Sequence, residues 1–156
     1  MIVGILRALF ASFMGTIGFA VLLNAPKKAW FPASVIGALS FLLYWVLFEI
    51  GLPEPFAIFT GAAVGSLLAQ LYARRMRMIA TIFLTLSIVP MVPGLGLYRC
   101  MELLGQGQSG LGAQTGIAAM ITIVMIALGI GMGNYLSRLF VPHRRHEAKR
   151  HRQPSI

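Results

Sequence analysis

Long apolar runs dominate the chain, and charged residues are confined to the joints between them. A helix needs roughly 17 to 25 residues to cross a hydrocarbon core of about 30 Å. Runs of that kind occur at Ile2 to Leu23, Ala33 to Ile50, Phe56 to Ala73, Met78 to about Val92, and Thr115 to Leu136. The pattern predicts an all-α integral membrane bundle of about five transmembrane helices. The fourth run is short before Pro93, and the pattern leaves open whether that span ends there or continues, kinked, through Leu104.

The fourth run carries the most unusual stretch, Ser87-Ile88-Val89-Pro90-Met91-Val92-Pro93-Gly94-Leu95-Gly96-Leu97-Tyr98-Arg99. Proline lacks a backbone donor and clashes with the preceding turn, so Pro90 and Pro93 free carbonyls that lipid cannot satisfy. Backbone of this kind is tolerated at membrane depth where it is buried in protein or lines a cavity. The stretch therefore reads as a broken membrane helix at a transport site.

Charge placement tests the count of spans. Asn24-Ala25-Pro26-Lys27-Lys28, Tyr72-Ala73-Arg74-Arg75-Met76-Arg77 and the segment from Arg138 to Arg152 carry eleven of the thirteen Lys and Arg residues. Five spans put all three segments on one side, which the positive-inside rule makes the cytoplasm. The N-terminus then faces outward and the C-terminus inward. Glu49, Glu54 and Glu102 fall on the outer side, with Arg7 and Arg99 as its only cations. Four or six spans would place a basic segment outside.

Composition agrees. At 156 residues, 58% hydrophobic, 11% charged and with mean hydropathy +0.81, the chain has too little polar surface for a soluble globule of its size. The net charge of +9 reads as topology and not as a nucleic-acid surface, because the cations sit between apolar runs. The lone cysteine, Cys100, excludes an intrachain disulfide and a thiolate zinc cluster, and is read as a packing residue. The run from Ala8 to Leu23 is longer than most signal-peptide cores and lacks a good cleavage site before Asn24-Ala25-Pro26, so an uncleaved first span is expected.

Residues 1–138 form the expected transmembrane domain and 139–156 a basic cytoplasmic tail. From Pro142 to Arg152 the tail reads as disordered and in contact with anionic lipid, each cation contributing about 1 kcal/mol near such a surface. Its histidines, His143, His146 and His151, are surrounded by cations, which argues against a metal. Small-residue stripes, Gly61-x-x-x-Gly65-x-x-x-Ala69 and Gly129-x-x-x-Gly133, are helix-packing faces, with neighbours in this chain or another.

No enzyme motif is present. The chain has no aspartate, no phosphate-binding Gly-rich loop ending in Lys, no His-Glu-x-x-His pair and no Gly-x-Ser-x-Gly elbow. Gly94-x-Gly96 lacks the third glycine of a dinucleotide site. Neither an enzyme nor a cofactor or metal is expected, and an intramembrane enzyme working with glutamates and tyrosines is a distant alternative.

Polar residues at membrane depth are costly and default to function. Pro90 lies thirteen residues from Arg77, about 20 Å along a helix, and so beyond the midplane toward the outside. A helix restarting near Leu95 offers free amides and a positive dipole end to a carboxylate. Arg99 can hold a carboxylate bidentately, Tyr98 adds a hydroxyl, and Glu102, three residues on, can pair with Arg99 when substrate is absent. The competing reading is a Pro-kinked helix end whose Tyr and Arg anchor the outer interface. Glu49 is either a proton-coupling carboxylate or an exposed interfacial acid. Snorkelling to the outer interface is favoured for Arg7 over a pore role. Asn24 before Pro26 caps the inner end of span one, while Gln70, Gln114 and Asn134 suit interhelical hydrogen bonds.

Pro90-Met91-Val92-Pro93-Gly94-Leu95-Gly96-Leu97-Tyr98-Arg99-Cys100-Met101 resembles the Pro-x-x-Pro-Gly-x-x-x-Tyr signature of the threonine/serine exporter family. Gly18 to Trp30, with Asn24-x-Pro26, resembles the end of that family's first span. The likeness covers residues 2 to 138, and size and layout resemble the family's small subunit, which corresponds to the second half of full-length exporters. It implies secondary transport in the bacterial cytoplasmic (inner) membrane. The cargo would be threonine and serine or, in some split two-subunit members, a dicarboxylate such as succinate. It also implies a larger family-related membrane subunit as partner, self-association being the other arrangement. Pro90, Pro93, Gly94 and Tyr98 match the signature, Arg99 and Met101 a frequent continuation, and Asn24 and Pro26 the first motif. The basic tail departs from the family pattern. The alternative function is a structural or assembly protein that binds another membrane protein and transports nothing.

Overall fold

The computed structural model describes residues 2–140; the segment from Pro142 to Arg152, read above as a disordered tail, lies outside them. Six helices and one 3₁₀ turn account for almost all of the described residues, and there is no strand among them. They are α1 (Ile2–Leu22), α2 (Lys27–Glu49), α3 (Glu54–Met76), α4 (Ala80–Ile88), the 3₁₀ turn Val89–Met91, α5 (Gly94–Gly105) and α6 (Ser109–Phe140). α1, α2, α3 and α6 are each long and apolar enough to cross a membrane. α4 with its 3₁₀ turn and α5 make a pair bent by 52°, which by length and composition is either a fifth span, broken, or a re-entrant loop.

Where the chain reverses, it uses one device four times. Asn24 (φ 50°), Gly51 (φ 99°), Arg77 (φ 51°) and Gly107 (φ 77°) adopt the left-handed conformation just past the ends of α1, α2, α3 and α5. After α1 the Asn24 amide donates to the Val21 carbonyl at 3.0 Å and the Ala25 amide to Ala20 at 2.9 Å. The same pair of bonds closes α3, from Arg77 to Arg74 at 3.2 Å and from Met78 to Ala73 at 3.0 Å. This is the Schellman arrangement, which satisfies the last carbonyls of a helix as the chain turns back. The joint between α4 and α5 is built differently and does not reverse the chain.

Direction follows from packing. Gly129 on α6 lies against Phe59, Ala62 and Ala63 of α3, and Gly133 lies one turn on, against Ala63 and Ser66. Helices α3 and α6 therefore run parallel. The chain between them must cross the bundle once more, so α4 and α5 form one broken crossing and not a re-entrant loop. α5 then packs antiparallel on the first half of α6, with Gly96 beside Ala119, Cys100 beside Gly116 and Leu104 beside Gly112.

Packing relies on small residues, as expected where lipid gives helices no hydrophobic reason to associate. Phe83 and Leu86 are the largest fully buried side chains; the next are Thr16, Ser34, Ser40, Ser66, Ser87 and Ser137. Most of these hydroxyls donate back to a carbonyl of their own helix, as in Thr16 to Ser12 at 2.8 Å and Ser40 to Ile36 at 2.8 Å. The two predicted glycine stripes find neighbours within the chain. Gly61 and Gly65 meet Ser40 and Tyr44 of α2, and Gly129 and Gly133 meet α3.

Two helices begin six residues ahead of their predicted runs. α2 begins at Lys27, six residues before the apolar run, because Pro26 supplies a helix start and Pro32 sits near enough to the exposed end for water to serve the carbonyl it orphans. α6 begins at Ser109 and, at 32 residues, is about 48 Å long. Its first turns pack on α5, Gly112 against Leu104 and Gly116 against Cys100.

Candidate functional site

The signature prolines produce a break with defined geometry. The 3₁₀ turn around Pro90 closes with the Val92 amide donating to the Val89 carbonyl at 3.3 Å. Val92 is extended (φ −64°, ψ 127°), as the residue before a proline prefers. Pro93 (φ −77°, ψ 54°) is the centre of an inverse γ-turn, in which the Gly94 amide donates to the Val92 carbonyl at 2.8 Å. The Leu97 amide then bonds the Pro93 carbonyl at 3.1 Å, starting α5. Leu95 and Gly96 contribute the remaining amides of that first turn.

A cavity of about 480 Å³ opens beside the break, lined by Val89 and Pro90, by Phe41 and Trp45 of α2, and by Arg7, Ser12 and their neighbours on α1. Its volume comes from missing side chains. Gly4, Ala11 and Gly15 share the face of α1 that carries Arg7, at spacings of three and four residues that stack on a helix. Arg7 lies fifteen residues from Leu22, about 22 Å along α1, a depth matching that of Pro90 measured from Arg77.

A second cavity, of about 280 Å³, lies toward the other end of α1, where the chain after that helix faces α4. Leu23, Asn24, Ala25 and Pro26 line it from the end of α1, and Thr81, Ile82, Thr85 and Leu86 from α4. Ala20 of α1 and Ser87 of α4, both buried, fall between the cavity-lining positions of their helices, and the buried Thr16 lies with Ser87 against Gly37 of α2. A methyl group at Gly37 would lie 2.9 Å from Thr16 Oγ1 and 3.5 Å from Ser87 Cα.

The residues singled out in the sequence divide into two sets. Pro90 and Arg7 both line the first cavity, and Asn24 and Pro26 line the second. Tyr98, 65% exposed, and Arg99 lie on α5 outside both cavities, on faces that α6 leaves uncovered. Gly94 has open space around it. Glu102 is exposed and accepts a long 3.5 Å hydrogen bond from Gln106 Nε2, and Glu49 is exposed at the end of α2. Among the described residues no group of three or more His, Cys, Asp or Glu side chains gathers to hold a metal. Ser12, Phe41 and Trp45 were not legible as site residues. The available signal was the Gly4-Arg7-Ala11-Gly15 spacing, a polar residue set in a stripe of small ones.

Comparison with known proteins gives two matches. Residues 8–136 match the family described as Threonine/Serine exporter, ThrE. The chain is also 31% identical over 93 residues to an uncharacterized protein of Haemophilus influenzae, a stretch that is 60% of this chain and 31% of that protein. The match thus spans about a third of that relative's length. No solved structure matches.

Proposed function

The chain belongs to the threonine/serine exporter family, and on that premise we propose that it is one subunit of a secondary transporter that exports small carboxylate-bearing metabolites. Threonine and serine, or a dicarboxylate such as succinate, are the substrates. The observation that carries this reading is the broken fourth crossing, whose Pro90 lines a cavity within a bundle of membrane-length helices. Broken helices at membrane depth present helix ends and unpaired backbone to a substrate, which is how many transporter sites are built.

In this reading the amides that start α5, with Pro93 and Gly94 holding them in place, face the carboxylate, and Tyr98 and Arg99 complete its recognition. Glu49 and Glu102 are the candidates for ion coupling. The three basic segments face the cytoplasm, which puts the N-terminus outside and the break in the outer half of the bacterial inner membrane. The α5 face that bears Tyr98 and Arg99 is uncovered in the single chain. A larger, family-related membrane subunit encloses it, and the pair supplies the two moving bodies that alternating access requires.

The test is reconstitution of this chain in proteoliposomes with and without the larger subunit, following efflux of labelled threonine, serine and succinate. Carboxylate efflux that needs both subunits is the expected result. Absence of efflux of all three with both subunits present refutes transport and favours an assembly role.

A further inference from the structure

We infer that the carboxylate crosses this chain along the seam between α1 and α4, with Arg7 as the group that receives it at the cavity beside Pro90. The inference rests on the transport reading above and adds to its α5 site a route through this chain and a second carboxylate contact, Arg7.

Four observations carry it. First, both cavities lie on one seam. Phe19 lines the first and Leu23 the second, one turn apart along the chain, while on the α4 side Val89 lines the first and Thr85 the second. Second, what separates them is thin. From Leu86, at the edge of one cavity, to Val89, at the edge of the other, is three residues, or about 5 Å of helix rise.

Third, the barrier is built for polar traffic. It holds Thr16 and Ser87, whose hydroxyls donate to carbonyls of their own helices at 2.8 and 2.9 Å. Such intrahelical bonds are weak enough for the hydroxyl to turn toward a passing polar group. Helix α1 packs along α2 and meets α4 only sparsely, so a small shift of α1 joins the cavities.

Fourth, charge decides the class of ligand. Among the described residues, Arg7 is the only ionisable side chain lining either cavity. Arg7 is exposed at the mouth of the cavity and shares its lining with Phe41, Trp45 and Val89 and with no carboxylate among the described residues, so its guanidinium makes the first cavity a site for an anion. A planar guanidinium matches a carboxylate bidentately. At about 480 Å³ the cavity is large enough for an amino acid or a four-carbon dicarboxylate.

The test uses the two-subunit complex in proteoliposomes, with succinate and threonine as probes. Arg7→Gln is expected to raise the KM of the transported probe at least tenfold, and Arg7→Lys to recover part of the loss. In a Cys100→Ala background, Ala11→Cys and Thr85→Cys place single thiols in the two cavities, and the transported probe is expected to slow maleimide labelling of both. An unchanged KM in Arg7→Gln, alongside an active wild-type complex, overturns the inference and leaves the transport reading standing. Labelling of both thiols unaffected by the probe overturns the route. A wild-type complex that moves neither probe defeats the transport reading, and the inference with it.

Discussion

Gln70 on α3 donates its side-chain amide to Asn134 Oδ1 on α6 at 2.6 Å, and Ser66, one turn away, donates to the same oxygen at 3.1 Å. Two parallel helices are thereby joined through one acceptor in an otherwise apolar interface. Interhelical hydrogen bonds in membranes contribute about 0.6 kcal/mol on average and up to about 1.7. Asn134→Leu removes the acceptor of two such bonds, although Ser66 keeps its bond to the Ile130 carbonyl at 3.1 Å. The expected outcome is a loss of about 1 kcal/mol, measured as a lowered Tm in detergent, with insertion unchanged.

Gly129 and Gly133 set how closely the same two helices approach. A methyl group at Gly129 would lie 2.6 Å from the Phe59 carbonyl oxygen and 2.8 Å from Ala62 Cβ, so backbone has to yield. Gly131, on the other side of α6, has nothing within 4 Å. Gly129→Val is expected to destabilise by about 1 to 3 kcal/mol or more, seen as low yield of monodisperse protein. Gly131→Ala is expected to fold as the parent does. Equal yields from the two variants would refute the close approach.

Much of the fold was legible because the bilayer simplifies the code. Apolar length, Lys and Arg placement and the two prolines were enough to indicate five crossings with the fourth broken. The continuation past Pro93 was not legible, since Gly94 to Gly105 reads equally well as a surface helix; the parallel packing of α3 and α6 decides it. The site was legible in part. Pro90 was found from its backbone chemistry, a local property. That Arg7 shares a cavity with Pro90, Phe41 and Trp45 is a long-range juxtaposition that no spacing along the chain records.

Asn24 has a conformational role that can be separated from transport. At φ 50° it occupies the left-handed region, which costs most L-residues roughly 1 to 2 kcal/mol and which Asn and Gly tolerate. Its turn also presents the Ala25 carbonyl, which accepts a 2.7 Å hydrogen bond from Trp30 Nε1. Asn24→Val is expected to lower Tm by an amount corresponding to about 1 kcal/mol, while Asn24→Gly keeps the parental value. A Tm for Asn24→Val equal to that of the parent would show that the turn is not under this constraint.

Arg99 is predicted to matter only in the assembled transporter. Its side chain is exposed on α5, and α5 packs within this chain chiefly on α6 through Gly96, Cys100 and Leu104. Truncating it removes nothing that holds the chain together. Arg99→Ala is therefore expected to insert and melt as the parent does, yet to lose carboxylate efflux in the two-subunit complex by at least tenfold, because a bidentate charge-assisted pair is lost. Efflux rates and Tm measured on the same preparation check both halves. Full efflux by Arg99→Ala would take Arg99 out of the site and leave it as an anchor at the membrane interface, its positive charge serving only the outer headgroups.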